Sequence, residues 1–299
     1  MGRSRPDPAA HPRHLHPSVI EDDMPAELPV AETPEMQPHE DAARPEPDRT
    51  PDVEAVHWDA RAYDALPLPH VEWGRRVVAQ LQPRPGDRIL DAGCGTGRDA
   101  ALLLDVHPDV RLTCLDASPE MLAAARERLG ERAAYLQVAL GTPGVPPADL
   151  PPFDAVMSVA AFHWVPDHDA LFAGLAAVMR PGAPLVSDCG GAGQLALVDR
   201  AIEAVTGEAA DPWEFADVAE TRARLDRAGL EPLRVELRPD PLRVEDPALL
   251  ERYLATVILG GHLRGMPPAE HAGFVRAVRL AMTAPVVDYI RLEILARRR

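Results

Sequence analysis

From Trp58 onward, short apolar runs alternate with apolar stripes at helical spacing, two rhythms that predict strands and amphipathic helices in turn. Val71 to Leu81 carries a helical stripe that Pro83 and Pro85-Gly86 bring to an end. "RILDAG" (88–93) and "RLTCLDA" (111–117) read as strands. Ser118-Pro119 then opens a helix, Ser as N-cap and Pro at the first helical position, with Met121, Leu122, Ala125 and Leu129 as its apolar stripe. "AAYLQVAL" (133–140) and "FDAVMSVAAF" (153–162) predict two more strands. A helix from Asp167 or Asp169 runs through Arg180 to Pro181-Gly182, and "APLVSD" (183–188) is a fifth strand. Beyond it the spacing predicts helices over 195–207 and 218–228, a strand over 230–239, helices over 247–259 and 267–283, and a terminal strand over 286–297.

Strands alternating with helices at this spacing imply parallel βαβ units, a sheet covered on both faces and a ligand crevice beyond the carboxyl ends of its strands. The departures from alternation, about 190–229 and 246–285, are expected to be helical insertions capping that crevice. Residues 1–51 hold eleven of the 33 prolines and show neither periodicity, which predicts a disordered tail before a folded domain over 52–299. Between Glu21 and Glu54 twelve acids stand against two arginines, so much of the chain's net charge of -16 belongs to this tail.

That charge argues against nucleic acid as a main partner, since neutralising phosphates needs a basic face. Lysine is absent, which excludes a Walker A loop and a pyridoxal Schiff base. No apolar run reaches membrane-spanning length, and the start lacks a secretory h-region, so a soluble, cytoplasmic protein without a membrane partner is the expectation. Cys94, Cys114 and Cys189 lack the paired spacing of a metal site or a disulfide framework.

The chemistry concentrates in "ILDAGCGTGRDA" (89–100). Glycines after a first strand let a ligand approach bare backbone, and the next helix start favours an anionic group. A dinucleotide wants G-x-G-x-x-G, whereas the spacing here is Asp91-x-Gly93-x-Gly95-x-Gly97. The leading acid would repel a pyrophosphate and attract an ammonium. Asp116 ends the second strand 19 positions after Gly97, close to the spacing of a ribose-binding acid.

"LDAGCGTG" resembles motif I of the class I S-adenosyl-L-methionine methyltransferases. "WDARAYD" (58–64), "FDAVMSVAAFHWVPD" (153–167), "LAAVMRPGAPLV" (175–186), "DPWEF" (211–215) and "DYIRLEILAR" (288–297) are similar to the trans-aconitate methyltransferase-like branch, which methylates small molecules. The resemblance implies an α/β, Rossmann-like fold with a seven-stranded, mostly parallel sheet of order 3-2-1-4-5-7-6, the last strand antiparallel. It implies S-adenosyl-L-methionine as cofactor, Asp91 near its ammonium, the Gly93–Gly97 backbone with Cys94 and Gly95 along its amino-acid and ribose portion, and Asp116 with Ala117 at the ribose hydroxyls. Ser158 joins this set, and Trp58 and Tyr63 would cover the cofactor from a lid. Many relatives place an adenine-binding acid where this chain has Ala139, followed by Leu140, so adenine would rest on backbone or apolar packing there.

A sulfonium methyl is already an electrophile, so the protein mainly brings a lone pair in line and keeps water away. His163, just past the fourth strand, is the catalytic candidate, to deprotonate or orient the acceptor. Trp164, Trp213, Tyr253 and Arg264 are candidates for the acceptor pocket, with Phe215 and His262 nearby, and Arg264 is the side chain that would pair with a substrate carboxylate. The expected reaction is methyl transfer to the oxygen, nitrogen or carbon of a small molecule. The alternatives are a non-catalytic module of the same fold and a nicotinamide-dependent oxidoreductase, the latter disfavoured by the glycine spacing.

Overall fold

The computed structural model describes Leu66 and residues 70–144, 146–147, 150–208 and 215–299. The expected tail, Trp58, Tyr63 and Trp213 lie outside the described residues.

Seven strands form one sheet: β1 (Arg88–Ala92), β2 (Arg111–Asp116), β3 (Ala133–Gln137), β4 (Ala155–Val159), β5 (Pro184–Gly190), β6 (Leu230–Pro239) and, after a two-strand ribbon of β7 (Leu242–Arg243) and β8 (Val286–Val287), β9 (Ile290–Arg298). The order is β3-β2-β1-β4-β5-β9-β6, and β9 runs antiparallel to both of its neighbours. With the ribbon set aside, this is the 3-2-1-4-5-7-6 sheet implied by the motif. β4 is buried along its whole length, as a strand with helices on both faces must be.

The pleat sends Ile89 and Asp91 to one face, and Leu90 and Ala92 to the other. On the first face α1 (His70–Leu81) buries Trp73, Val77 and Leu81, and α2 (Arg98–Val106) buries Leu103. α3 (Pro119–Leu129) buries Met121, Leu122, Ala125 and Leu129, the stripe read from sequence, and the Ser118 hydroxyl caps it by accepting from the Met121 N–H at 3.2 Å. On the second face α4 (His168–Val178), capped by the Asp167 carboxylate, buries Leu171, Phe172 and Leu175.

The remaining helices are α5 (Ala196–Thr206), α6 (Val218–Arg227), α7 (Pro247–Tyr253), α8 (Gly260–Arg264) and α9 (Pro268–Ala281), with a π-turn over Leu254–Ile258 between α7 and α8. Three expectations need correction. The third strand stops at Gln137, because the chain turns off the sheet edge after the Val138 N–H meets the Asp116 carbonyl at 3.1 Å. The single helix over 247–259 widens into the π-turn after Tyr253. The terminal strand divides, Val286–Val287 pairing with β7 and only Ile290–Arg298 joining the main sheet. Among the described residues no helix is long and apolar enough to cross a membrane.

Candidate active site

A cavity of about 280 Å³ opens beyond the carboxyl ends of β1, β2 and β4. Three left-handed glycines shape the loop beside it: Gly93 at φ +82°, Gly95 at +53° and Gly97 at +75°. They answer different needs. A Cβ on Gly93 would lie 2.3 Å from the Ala161 methyl, and one on Gly97 would crowd Ala125 and Leu129 of α3 at 3.1 Å. A Cβ on Gly95 would meet nothing within 4 Å, so at this position the backbone is bare toward open space.

Asp116 organises the loop. Its carboxylate accepts the Gly95 N–H at 2.8 Å and the Ser118 N–H at 2.9 Å, with the Ala117 N–H as a further backbone donor. From behind, Arg128 of α3 donates to the Thr96 carbonyl at 2.7 Å and to its hydroxyl at 2.9 Å. Cys94, Gly95, Asp116, Ala117, Ala139 and Leu140 reach the cavity wall, as does Gly93. Of the residues expected to bind the cofactor, these seven therefore line one cavity, and three other described ones do not. Gly97 is turned against α3 and off the wall. Ser158 is fully buried and spends its hydroxyl on the Ala92 carbonyl at 2.7 Å, tying β4 to β1.

Asp91 is the third. It is 1% exposed, beneath the loop instead of on the wall, and its Oδ2 has no hydrogen-bond partner among the described residues. Burial, then the neighbouring Cys114, Asp99 and Asp116, push its carboxyl well above the usual range. The acid that does reach the wall from the first turn of α2 is Asp99, which sequence reasoning missed.

The other end of the cavity is aromatic. His163 and Trp164 come from a 3₁₀ turn after β4, with ring centroids 5.5 Å apart, and Phe215 lies 5.9 Å from His163. The backbone N–H of Gly190 donates to His163 Nδ1 at 3.2 Å. The neutral imidazole therefore carries its proton on Nε2, and burial, then Arg291 and His168, hold its pKa well below the usual histidine range. A ring in this tautomer is a donor, which favours the orienting role over the base role.

Val257 and Ile258 of the π-turn and Leu195, left-handed at φ +64°, complete this end, as do Gln194, Tyr289 and Arg291. Two expected pocket residues are elsewhere. Tyr253 is buried behind the wall, its hydroxyl 2.7 Å from that of Tyr289. Arg264 is exposed on α8, away from the cavity, because the π-turn rotates the residues after Tyr253. His70, Trp73, Gln194, Tyr289 and Arg291 went unread because they come from three separate stretches that only the fold brings together.

Residues 89–182 match the methyltransferase domain family. Trans-aconitate 2-methyltransferase of Acidovorax sp. (strain JS42) is 33% identical over 129 residues, 43% of this chain and 48% of the relative. The chain thus spans about half the length of the first curated relatives it matches. The enzyme of that name from Variovorax paradoxus (strain S110) is 29% identical over 242 residues, covering 81% of this chain and 85% of the relative. Among solved structures, the YcgJ protein of Bacillus subtilis has a TM-score of 0.55 at 17% identity, covering 77% of this chain and 99% of its own. The [4+2]-cyclase SpnF has a TM-score of 0.51 at 21% identity, covering 76% and 80%. Residues 89–182 thus match a methyltransferase domain within a sheet of the order that the glycine loop implies, and the chain as a whole is similar to the trans-aconitate 2-methyltransferases.

Proposed function

We propose that the chain transfers a methyl group from S-adenosylmethionine to a small-molecule acceptor. The observation that carries this is one cavity in which bare Gly95 backbone and the Asp116 carboxylate stand at one end and His163, Trp164 and Phe215 at the other. The residues fit the cofactor: Asp116 offers a carboxylate for a ribose, the glycine loop makes room where any Cβ would intrude, and apolar Val138, Ala139 and Leu140 suit a flat base. When bound, the cofactor supplies an electrophilic methyl on a sulfonium.

What the chain's residues contribute is orientation. His163, held as the Nε2–H tautomer by Gly190, donates to an acceptor atom and takes no proton from it. An acceptor oxygen that arrives already ionised, a carboxylate foremost, suits such a donor best. The relatives' name, trans-aconitate 2-methyltransferase, is consistent with that class. Trp164, itself exposed, and Phe215 flank His163 at the same end.

Titration calorimetry with S-adenosylmethionine, S-adenosylhomocysteine and NAD tests the cofactor, and methyl transfer to a panel of small carboxylic acids and phenols tests the reaction. Binding of the first two and transfer to a carboxylate are expected. Binding of NAD alone would overturn the reading, and cofactor binding without transfer to any acceptor would favour a non-catalytic module.

A further inference from the structure

We propose that Asp99, and not Asp91, is the carboxylate that receives the cofactor's α-ammonium in this chain. The proposal rests on the cofactor reading above. Asp99 reaches the cavity wall two residues after the last loop glycine, whereas Asp91 is sealed beneath the loop. Its place is built by a second element. A Cβ on Gly74 of α1 would lie 1.8 Å from Asp99 Oδ1, so glycine at that one helical position is what leaves the carboxylate its place between α1 and the cavity it lines.

The surroundings are charged on several sides. Arg98 stands beside it and Arg128 approaches from α3, both favouring the ionised form, while Asp188 of β5 opposes it. Asp91 of β1, Asp116 of β2 and His70 of α1 are further titratable groups nearby, and burial pushes the two carboxyls up and the imidazole down. Burial outweighs the arginines and lifts the Asp99 carboxyl from 3.8 to about 7. A cation seated against it would favour the carboxylate, so binding in mildly acidic solution should expel a proton.

The full chain is titrated calorimetrically with S-adenosylhomocysteine and with 5′-methylthioadenosine, which lacks the amino-acid portion, at about pH 6 and about pH 7.5. Unaltered protein should bind S-adenosylhomocysteine about tenfold more tightly at the higher pH, one pKa unit being a factor of ten. At the lower pH it should release close to one proton. Asp99→Asn, which keeps the side chain's shape, should weaken S-adenosylhomocysteine about tenfold or more, abolish the pH dependence and leave 5′-methylthioadenosine untouched. Gly74→Ala, which displaces the carboxylate without removing it, should reproduce the selective loss.

Equal binding of S-adenosylhomocysteine by Asp99→Asn and unaltered protein overturns the proposal, as does equal weakening of both ligands, the mark of a scaffold role. So does a selective loss found only in Asp91→Asn. Failure of the unaltered chain to bind either ligand sinks the cofactor reading itself, an outcome separate from intact binding that Asp99→Asn does not disturb.

Discussion

Asp99 and His163 line the same cavity, and burial moves their pKa values in opposite directions, each toward the uncharged form. The consequence for folding can be measured. An unfolded chain loses the Asp99 proton near pH 4 and the folded one near pH 7, so the native state binds the extra proton in between. This group's contribution is therefore present below the unfolded value and is lost as pH rises through about 7. Asp91, Asp116 and Asp199 are raised too and slope the same way. In urea titrations from about pH 5 to about pH 7.5, Asp99→Asn should show a shallower fall in stability than the unaltered chain. For His163, removing a donor to a charged acceptor costs about 1.5–3 kcal/mol. His163→Ala should then lose about tenfold or more in kcat, His163→Gln, which retains an N–H, should recover part of it, and the pH profile should show no limb near 6.5 in either the unaltered enzyme or the Gln variant. At this scale the sequence made Asp116 and the loop glycines legible, because their spacing is local. Asp99 was hidden, since nothing in "GRDA" announces that a glycine in a preceding helix leaves its carboxylate room.

The elements were legible wherever their signals are confined to one segment. Ser118 with Pro119 marked a helix start, and the hydroxyl is bonded as expected. Removing that cap by Ser118→Ala should cost about 1 kcal/mol in urea unfolding with little effect on cofactor affinity. The β1–α2 turn distinguishes two kinds of glycine. Gly93→Ala forces a methyl against Ala161 at a left-handed position, so its main effect should be on stability, read as a lower unfolding midpoint. Gly95→Ala meets nothing in the protein, so its folding cost should be confined to the unfavourable φ, about 1–2 kcal/mol. Its larger effect should be on S-adenosylhomocysteine binding, because the methyl points into space the ligand needs. Element boundaries failed where tertiary structure decides them. Nothing in "YLATVILGGH" encodes a π-turn, which brings Val257 and Ile258 to the cavity and sends Arg264 to the surface. The division of the terminal strand depends likewise on β7, a partner of only two residues.

At the scale of the whole molecule, the far end of the cavity is held by a buried ion pair. Arg291 of β9 is 1% exposed and donates from Nε to Asp188 Oδ1 of β5 at 2.7 Å, from Nη2 to the Asp188 carbonyl at 3.2 Å, and from Nη1 to Gln194 at 3.1 Å. Its guanidinium plane is covered by the Trp73 ring, 3.6 Å from Cζ, and Trp73 in turn donates to Asp240 at 2.6 Å. Arg76 of α1 and Arg238 of β6 approach Asp188 at 3.4 and 3.7 Å, so one carboxylate joins β5, β6, β9 and α1 behind the acceptor end. Such a pair adds little net stability over an apolar replacement, but breaking it on one side strands a buried charge, which typically costs about 3–5 kcal/mol. Arg291→Met should approach the lower end of that range, since Arg76 and Arg238 remain to compensate Asp188. Arg291→Lys should rescue only part of the loss, because an ammonium has neither the fork that spans Asp188 and Gln194 nor the plane that covers Trp73. Adding Asp188→Asn to Arg291→Met removes the stranded charge, so the double variant should be more stable than the Arg291→Met single variant. Urea unfolding of the four proteins of that cycle reads the coupling, and strict additivity of the two losses would mean that Arg291 and Asp188 do not stabilise each other across β5 and β9.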